Sequence, residues 1–199
     1  VIVLILLVII TLNTKAMNTG EKRGILLVSF GSSYKESEIA LNHIDSMVRK
    51  AFPESEIRWA FTSKIIRQKL NAMGKNIQSP AEALAQMGEE GFKEVAVQSL
   101  HVIPGEEYEN LQKTVNAFCN MPKGIKTVTL GKPLLYLHND VATLCQELEK
   151  TFPDERKPTD AVLLMGHGTR HPSNIYYPGV QSYLAKLSPN YLIATVEGY

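Results

Sequence analysis

Ile25-Leu26-Leu27-Val28-Ser29-Phe30-Gly31-Ser32-Ser33 and Val162-Leu163-Leu164-Met165-Gly166-His167-Gly168-Thr169-Arg170 read as two versions of one passage. Each is an apolar run, then a small residue, a ring, a glycine and a hydroxyl residue. The offset is 137 positions, as from Phe30 to His167. An apolar run that ends on glycine is a buried strand entering a turn. The passage therefore predicts two related α/β units, each opening with a strand. One turn carries Phe30, an inert ring. The other carries His167, an imidazole that can bind a metal or move a proton.

Working outward, the pattern after the first strand turns helical over Ser37–Phe52. Leu41, Ile44, Val48 and Ala51 recur at three to four residues, and Pro53 ends the run. A short strand follows at Glu56–Phe61, then a helix at Lys64–Leu70. Ser79-Pro80-Ala81-Glu82 is a helix start with a cap, a proline at the first helical position and a capping-box glutamate. That helix runs to Glu90, where Gly91 stops it. Strands are expected at Val95–Leu100 and Thr127–Leu130, with a helix between them to about Phe118. Leu134–Asp140 reads as the link to the second unit. A helix over Asp140–Thr151, a strand at 161–166, a helix near Ile175–Leu187 and a strand at Leu192–Val196 complete the series. Strands alternating with helices predict a parallel sheet covered on both faces.

Size and composition fit this. A chain of 199 residues, 44% hydrophobic and 21% charged, is an ordinary globular protein of one domain or two small ones. The net charge of +1 gives no basic surface for nucleic acid. Cys119 and Cys145 lie far apart without zinc-type spacing, so both read as buried thiols. Residues 1–16 differ from the rest. Val1–Ile10 is an unbroken apolar run, and Thr14 and Ala16 fit the small-x-small rule for signal cleavage. The run is shorter than the roughly 20 apolar residues of a membrane-spanning helix, so no stable anchor is expected. It reads as a cleaved signal, which makes the protein periplasmic. Alternatively it is an upstream segment before a true start at Met17, and the protein is cytoplasmic. The expected organisation is thus 1–16, an N-terminal lobe 17–135 and a C-terminal lobe 136–199. The second lobe has two strands against four in the first, and is read as incomplete through C-terminal truncation. An exposed sheet edge of that kind would otherwise call for a homo-oligomer.

In open parallel sheets, ligands bind beyond the carboxyl ends of the strands. The candidates there are Ser29, Phe30, Gly31, Ser32, His101 and its loop to Tyr108, His167 to His171, and Glu197. His167, between two glycines, is the leading one. Glu106 and Glu107 open a helix, where one carboxylate serves the dipole and the other is free to accept a proton. Arg170 suits a carboxylate or phosphate. His138 and His171 read as structural or surface residues. His167-Gly168-Thr169-Arg170-His171-Pro172 resembles the His-Gly-x-Arg-x-Pro core of histidine phosphatases, which would make His167 a phosphoryl acceptor. Gly166 stands where those enzymes carry an arginine, and the motif lies late in the chain. We treat it as a chance match.

Several motifs together resemble another family. They are Leu26–Tyr34, Ala60-Phe61-Thr62-Ser63, Val97–His101 with Gly105–Glu109, Leu130–Leu135, His138-Asn139-Asp140 and Met165-Gly166-His167-Gly168. Their order from about Gly24 to Tyr199 is similar to that of anaerobic sirohydrochlorin cobaltochelatases of the CbiK type. The resemblance implies two Rossmann-like lobes with parallel sheets, related by pseudo-twofold symmetry around a cleft. It implies insertion of divalent cobalt into sirohydrochlorin, a step of anaerobic cobalamin synthesis. The metal would be held by His167 and by Glu197, with a third ligand in a segment beyond Tyr199. Glu107 would be the cleft acid.

The residue types suit that chemistry. Imidazole and carboxylate are fitting temporary ligands for cobalt, iron or nickel. Metal and proton compete for His167. Glu107 or His101 would take the two pyrrole protons. Ser29, Phe30, Gly31, Ser32, His101 and Arg170 would contact the tetrapyrrole. The resemblance implies no permanently bound cofactor, and divalent cobalt would be a substrate, with iron or nickel as variants. A periplasmic carrier of tetrapyrrole or metal is the non-enzyme alternative.

Overall fold

The computed structural model describes residues 21–119 and 121–198. The apolar segment of residues 1–16 and Tyr199 lie outside the described residues. The elements run β1 (Lys22–Ser29), α1 (Lys35–Ala51), β2 (Glu56–Phe61), α2 (Lys64–Ala72), α3 (Pro80–Glu89), β3 (Phe92–Ser99), α4 (Glu106–Phe118), β4 (Thr127–Gly131), α5 (His138–Glu149), β5 (Val162–Gly166), a 3₁₀ turn at Pro172–Ile175, α6 (Tyr176–Leu187) and β6 (Tyr191–Thr195). They divide into two compact units, one of residues 21–101 and 107–133, the other of residues 102–106 and 134–198. Among the described residues, no helix is long and apolar enough to cross a membrane.

The first unit is a four-stranded parallel sheet in the order β2-β1-β3-β4. The central strand β1 is buried from Gly24 to Ser29, as its unbroken apolar sequence requires. Alternate residues feed the two faces. Leu26 and Val28 join Val95 and Val97, packing on Ala83, Leu84 and Met87 of α3 and on Leu111 and Val115 of α4. Each fully buried side chain of this size contributes roughly 2 kcal/mol. Ile25 and Leu27 face the other way, with Ile57 and Ala96, and are covered by Ile44 and Val48 of α1. This second layer is thinner, because α1 has no fully buried residue and Ala51 is exposed. A polar contact helps to dock it. Asp45 of α1 accepts from Trp59 Nε1 of β2 at 2.9 Å and from Arg49 Nε at 2.7 Å. The Arg49 hydrogen bond holds the Asp45 carboxyl below its ordinary range.

Caps fix where the helices begin. Ser79 accepts from Glu82 N at 3.3 Å while the Glu82 carboxylate accepts from Ser79 N at 2.7 Å, with Pro80 at the first position of α3. Ser63 caps α2. The carboxylate of Asp140 accepts from Tyr136 N and Leu137 N, so α5 starts at His138, two residues before the expected Asp140. At the opposite end of the sheet, Arg58 and Lys22 bridge Glu56 and Glu90. Cys145 is buried as expected. Cys119 is not. It stands just past the end of α4, where the chain leaves the core, and is exposed, with Sγ 3.3 Å from the Val115 carbonyl oxygen.

The second unit pairs β5 with β6 in parallel, Gly166 opposite Thr195. Leu135, Val141, Leu144, Cys145, Val180, Leu184 and Tyr191 form its core, so α5 and α6 cover one face. Leu163, Met165, Leu192 and Val196 are exposed. Leu135 N donates to Val102 O at 2.8 Å, which ties residues 102–106 to this unit.

Candidate functional site

The two turns predicted from the repeated passage share a backbone. Gly31 and Gly168 both adopt positive φ, +95° and +77°. After β1, Ser29 O and Phe30 O accept from Thr62 N at 2.9 Å and Ser63 N at 3.2 Å. After β5, Gly166 O and His167 O accept from Val196 N at 3.1 Å and Glu197 N at 2.7 Å. In each unit, the strand carrying the ring is thus stitched past its end to the start of the turn after the next parallel strand. Phe30 and Ser63 in one unit correspond to His167 and Glu197 in the other. The glycine is required, because a Cβ at Gly168 would lie 1.6 Å from the carbonyl oxygen of Glu197.

In the second unit, the stitching brings the main chains of His167 and Glu197 together, and both residues are exposed. His167 Nδ1 is 3.2 Å from Gly168 O. A carbonyl oxygen only accepts, so the ring hydrogen sits on Nδ1 and the Nε2 lone pair is available. Metal-binding histidines commonly use this arrangement, donating the second ring nitrogen to a carbonyl. Among the described residues, no group of three or more His, Cys, Asp and Glu side chains is clustered to hold a metal. His167 and Glu197 are a pair. Arg170 is exposed on the same turn. His171 is the structural residue of the segment. Its Nδ1 accepts from Ser173 N at 3.2 Å and lies 2.9 Å from Ser173 Oγ, capping the 3₁₀ turn.

In the first unit, the ends of β1, β2 and β3 gather Ser29, Phe30, Thr62, Ser99 and His101. Ser29 Oγ is buried and has no hydrogen-bond partner among the described residues. Phe30 is half exposed. Ser99 Oγ accepts from His101 N at 3.3 Å and lies 2.9 Å from His101 Nδ1, while Nε2 is 3.5 Å from Thr62 Oγ1. Burial pushes the His101 imidazole below its ordinary range, against a smaller upward pull from the Glu107 carboxylate. The ring is therefore neutral near pH 7. A cavity of about 520 Å³ opens beside this cluster, lined by Phe30, Thr62, Lys64, Ile65, Arg67 and Glu107 among others.

Of the expected residues, Ser29, Phe30, Gly31, Ser32, His101 and Glu107 belong to the first unit, and His167, Arg170 and Glu197 to the second. Lys64 and Ile65 were missed by sequence reading. They open α2 in the turn after β2, the counterpart of the turn holding Glu197, and that correspondence was the available signal.

Residues 23–199 match the family described as Cobalt chelatase (CbiK). The chain is 41% identical over 177 residues to "Sirohydrochlorin cobaltochelatase CbiKC" of Nitratidesulfovibrio vulgaris (strain Hildenborough), covering 89% of this chain and 62% of that protein. It is 37% identical over 152 residues to "Sirohydrochlorin cobaltochelatase" of Salmonella typhimurium (strain LT2), covering 75% of this chain and 56% of that one. The chain thus spans about three fifths of the length of these curated relatives. With a match that runs from the start of β1 through both ring-bearing turns, the chain belongs to the CbiK family of cobalt chelatases.

Proposed function

We propose that the protein inserts divalent cobalt into sirohydrochlorin, with His167 and Glu197 holding the incoming metal. The observation that carries this is the Nδ1–H of His167 on the Gly168 carbonyl, in a turn stitched to Glu197. A neutral imidazole nitrogen and a carboxylate replace part of the ion's water shell and leave the remaining positions to the macrocycle. The relatives' names support the substrate pair, a cobalt ion and sirohydrochlorin.

Two pyrrole N–H protons must leave as the metal enters. We assign their removal to Glu107. Both ring nitrogens of His101 are already engaged at the strand ends, Nδ1 lying 2.9 Å from Ser99 Oγ and Nε2 3.5 Å from Thr62 Oγ1. His101 then orders the strand end. The cavity beside Phe30 and Ile65, with Lys64 and Arg67 on its wall, suits an apolar ring edged by carboxylates.

The test is cobalt-dependent change in the sirohydrochlorin absorption spectrum, for the protein and its His167→Ala variant. The expected result is turnover that disappears in a variant that still folds. Normal turnover by folded His167→Ala overturns the assignment. Tight binding of both ligands by the protein without turnover would instead support a tetrapyrrole or metal carrier.

A further inference from the structure

The two ring-bearing turns share their main-chain bonds but not what lies under them. In the second unit, Tyr177 Oη accepts from Gly168 N at 3.2 Å, and the Tyr177 ring packs so close to Gly166 that a Cβ there would lie 2.2 Å from Cε1. Asn174 Oδ1 accepts from Thr169 N at 3.0 Å. Asn174 is buried, 5% exposed, and also lies beneath the other arm, since a Cβ at Gly198 would be 2.8 Å from Oδ1. One side chain thus touches the chain two residues past His167 and one residue past Glu197. The 3₁₀ turn that supplies it is itself capped by His171.

The first unit serves as an internal control. At the same offset, its residues are Ser37 and Ala40. Ala40 has no polar side-chain atom, Ser37 makes neither contact, and among the described residues the amides of Gly31 and Ser32 receive no side-chain acceptor. The extra fastening occurs only under the turn that carries an imidazole. We infer that Asn174 and Tyr177 are positioning residues that hold His167 and Glu197 at the spacing needed to grip one cobalt ion. This rests on the reading of those two residues as the metal-holding pair. Two ligands bind a metal firmly only if they are arranged beforehand, and groups that orient ligands are commonly worth tenfold or more in affinity.

The experiment is titration of the protein with cobalt(II) chloride, read by the visible d–d absorption of the bound ion. The variants are Tyr177→Phe, Asn174→Ala, Asn174→Asp and His167→Ala, each with its melting temperature. Tyr177→Phe keeps the ring and loses the acceptor. Asn174→Asp keeps an acceptor oxygen where Asn174→Ala has none. The expected result is affinity weakened about tenfold by Tyr177→Phe and by Asn174→Ala, with an altered d–d spectrum. Asn174→Asp should restore most of the loss. If Asn174→Ala does not fold, Tyr177→Phe and Asn174→Asp decide. Wild-type affinity and spectrum in Tyr177→Phe, with binding abolished in His167→Ala, overturns the positioning role alone. Wild-type binding by His167→Ala overturns both this role and the metal-holding pair.

Discussion

His167 Nδ1 faces the carbonyl oxygen of Gly168 at 3.2 Å, a contact that fixes which ring nitrogen keeps its hydrogen. The free lone pair is therefore on Nε2, in a turn whose main chain is bonded to Glu197. One ring nitrogen and one carboxylate make the pair chemically unequal, and the unequal members can be separated by experiment.

Replacing Glu197 by Gln should weaken cobalt binding more than tetrapyrrole binding. The carboxylate supplies charge and a lone pair, whereas the amide keeps only the shape. Calorimetric titration with each ligand measures both losses. Equal losses count against a metal role.

Gly168→Ala should destabilise the second unit by about 2 kcal/mol or more. The φ of +77° strains any side chain, and the new Cβ would collide with the carbonyl of Glu197. Urea unfolding followed by circular dichroism gives the change. Cobalt affinity should fall with it, because relief of the clash must part the two arms.

His101 should make the protein sensitive to mild acid. Burial holds its folded pKa below the ordinary 6.5. As pH falls below 6.5 the unfolded chain takes up the proton first, so the contribution is complete above 6.5 and is lost as pH falls through the folded pKa. His101→Gln should flatten this part of the pH dependence. Urea midpoints at pH 5 and pH 7.5 for both proteins provide the check, and identical slopes would remove the buried imidazole as the cause.

Glu90 acts at lower pH. The hydrogen bond from Arg58, then that from Gln86, brings its carboxyl down to about 2 from an ordinary 4.5. Its contribution is complete above pH 4.5 and lost as pH falls through the folded value. Melting curves of the protein and of Glu90→Gln should differ near neutrality and converge toward pH 2. A constant gap across that range would refute the link.

Much of this was legible in the sequence, for reasons that differ by element. The strand β1 announced itself because a fully buried parallel strand must be apolar throughout, and β5 carries the same apolar run although Leu163 and Met165 are exposed. The start of α3 was readable because Ser79, Pro80 and Glu82 are a local code. The first residues of β3 were not. Phe92 is buried and pairs with Lys22, but the charged Lys93 and Glu94 next to it separate it from the apolar run that starts at Val95. His167 stood out by its glycines and strand-end position, and Glu197 by its place past the last strand, its role as a metal ligand coming only through resemblance. Asn174 and Tyr177 gave no signal, since their significance lies in backbone amides they reach across a turn. A hydroxyl or amide on a helical stretch looks the same whether it meets water or another segment's N–H.

The main-chain stitching of the two turns separates shelter from chemistry. The bonds that hold residues 30 and 167 run through carbonyls and amides, and the glycine beside each supplies the bend. The ring itself takes little part in that framework. A position of this kind can exchange an inert side chain for a reactive one while its surroundings stay intact. A doubled fold gains from this a spare copy in which new ligands can be tried at little structural risk.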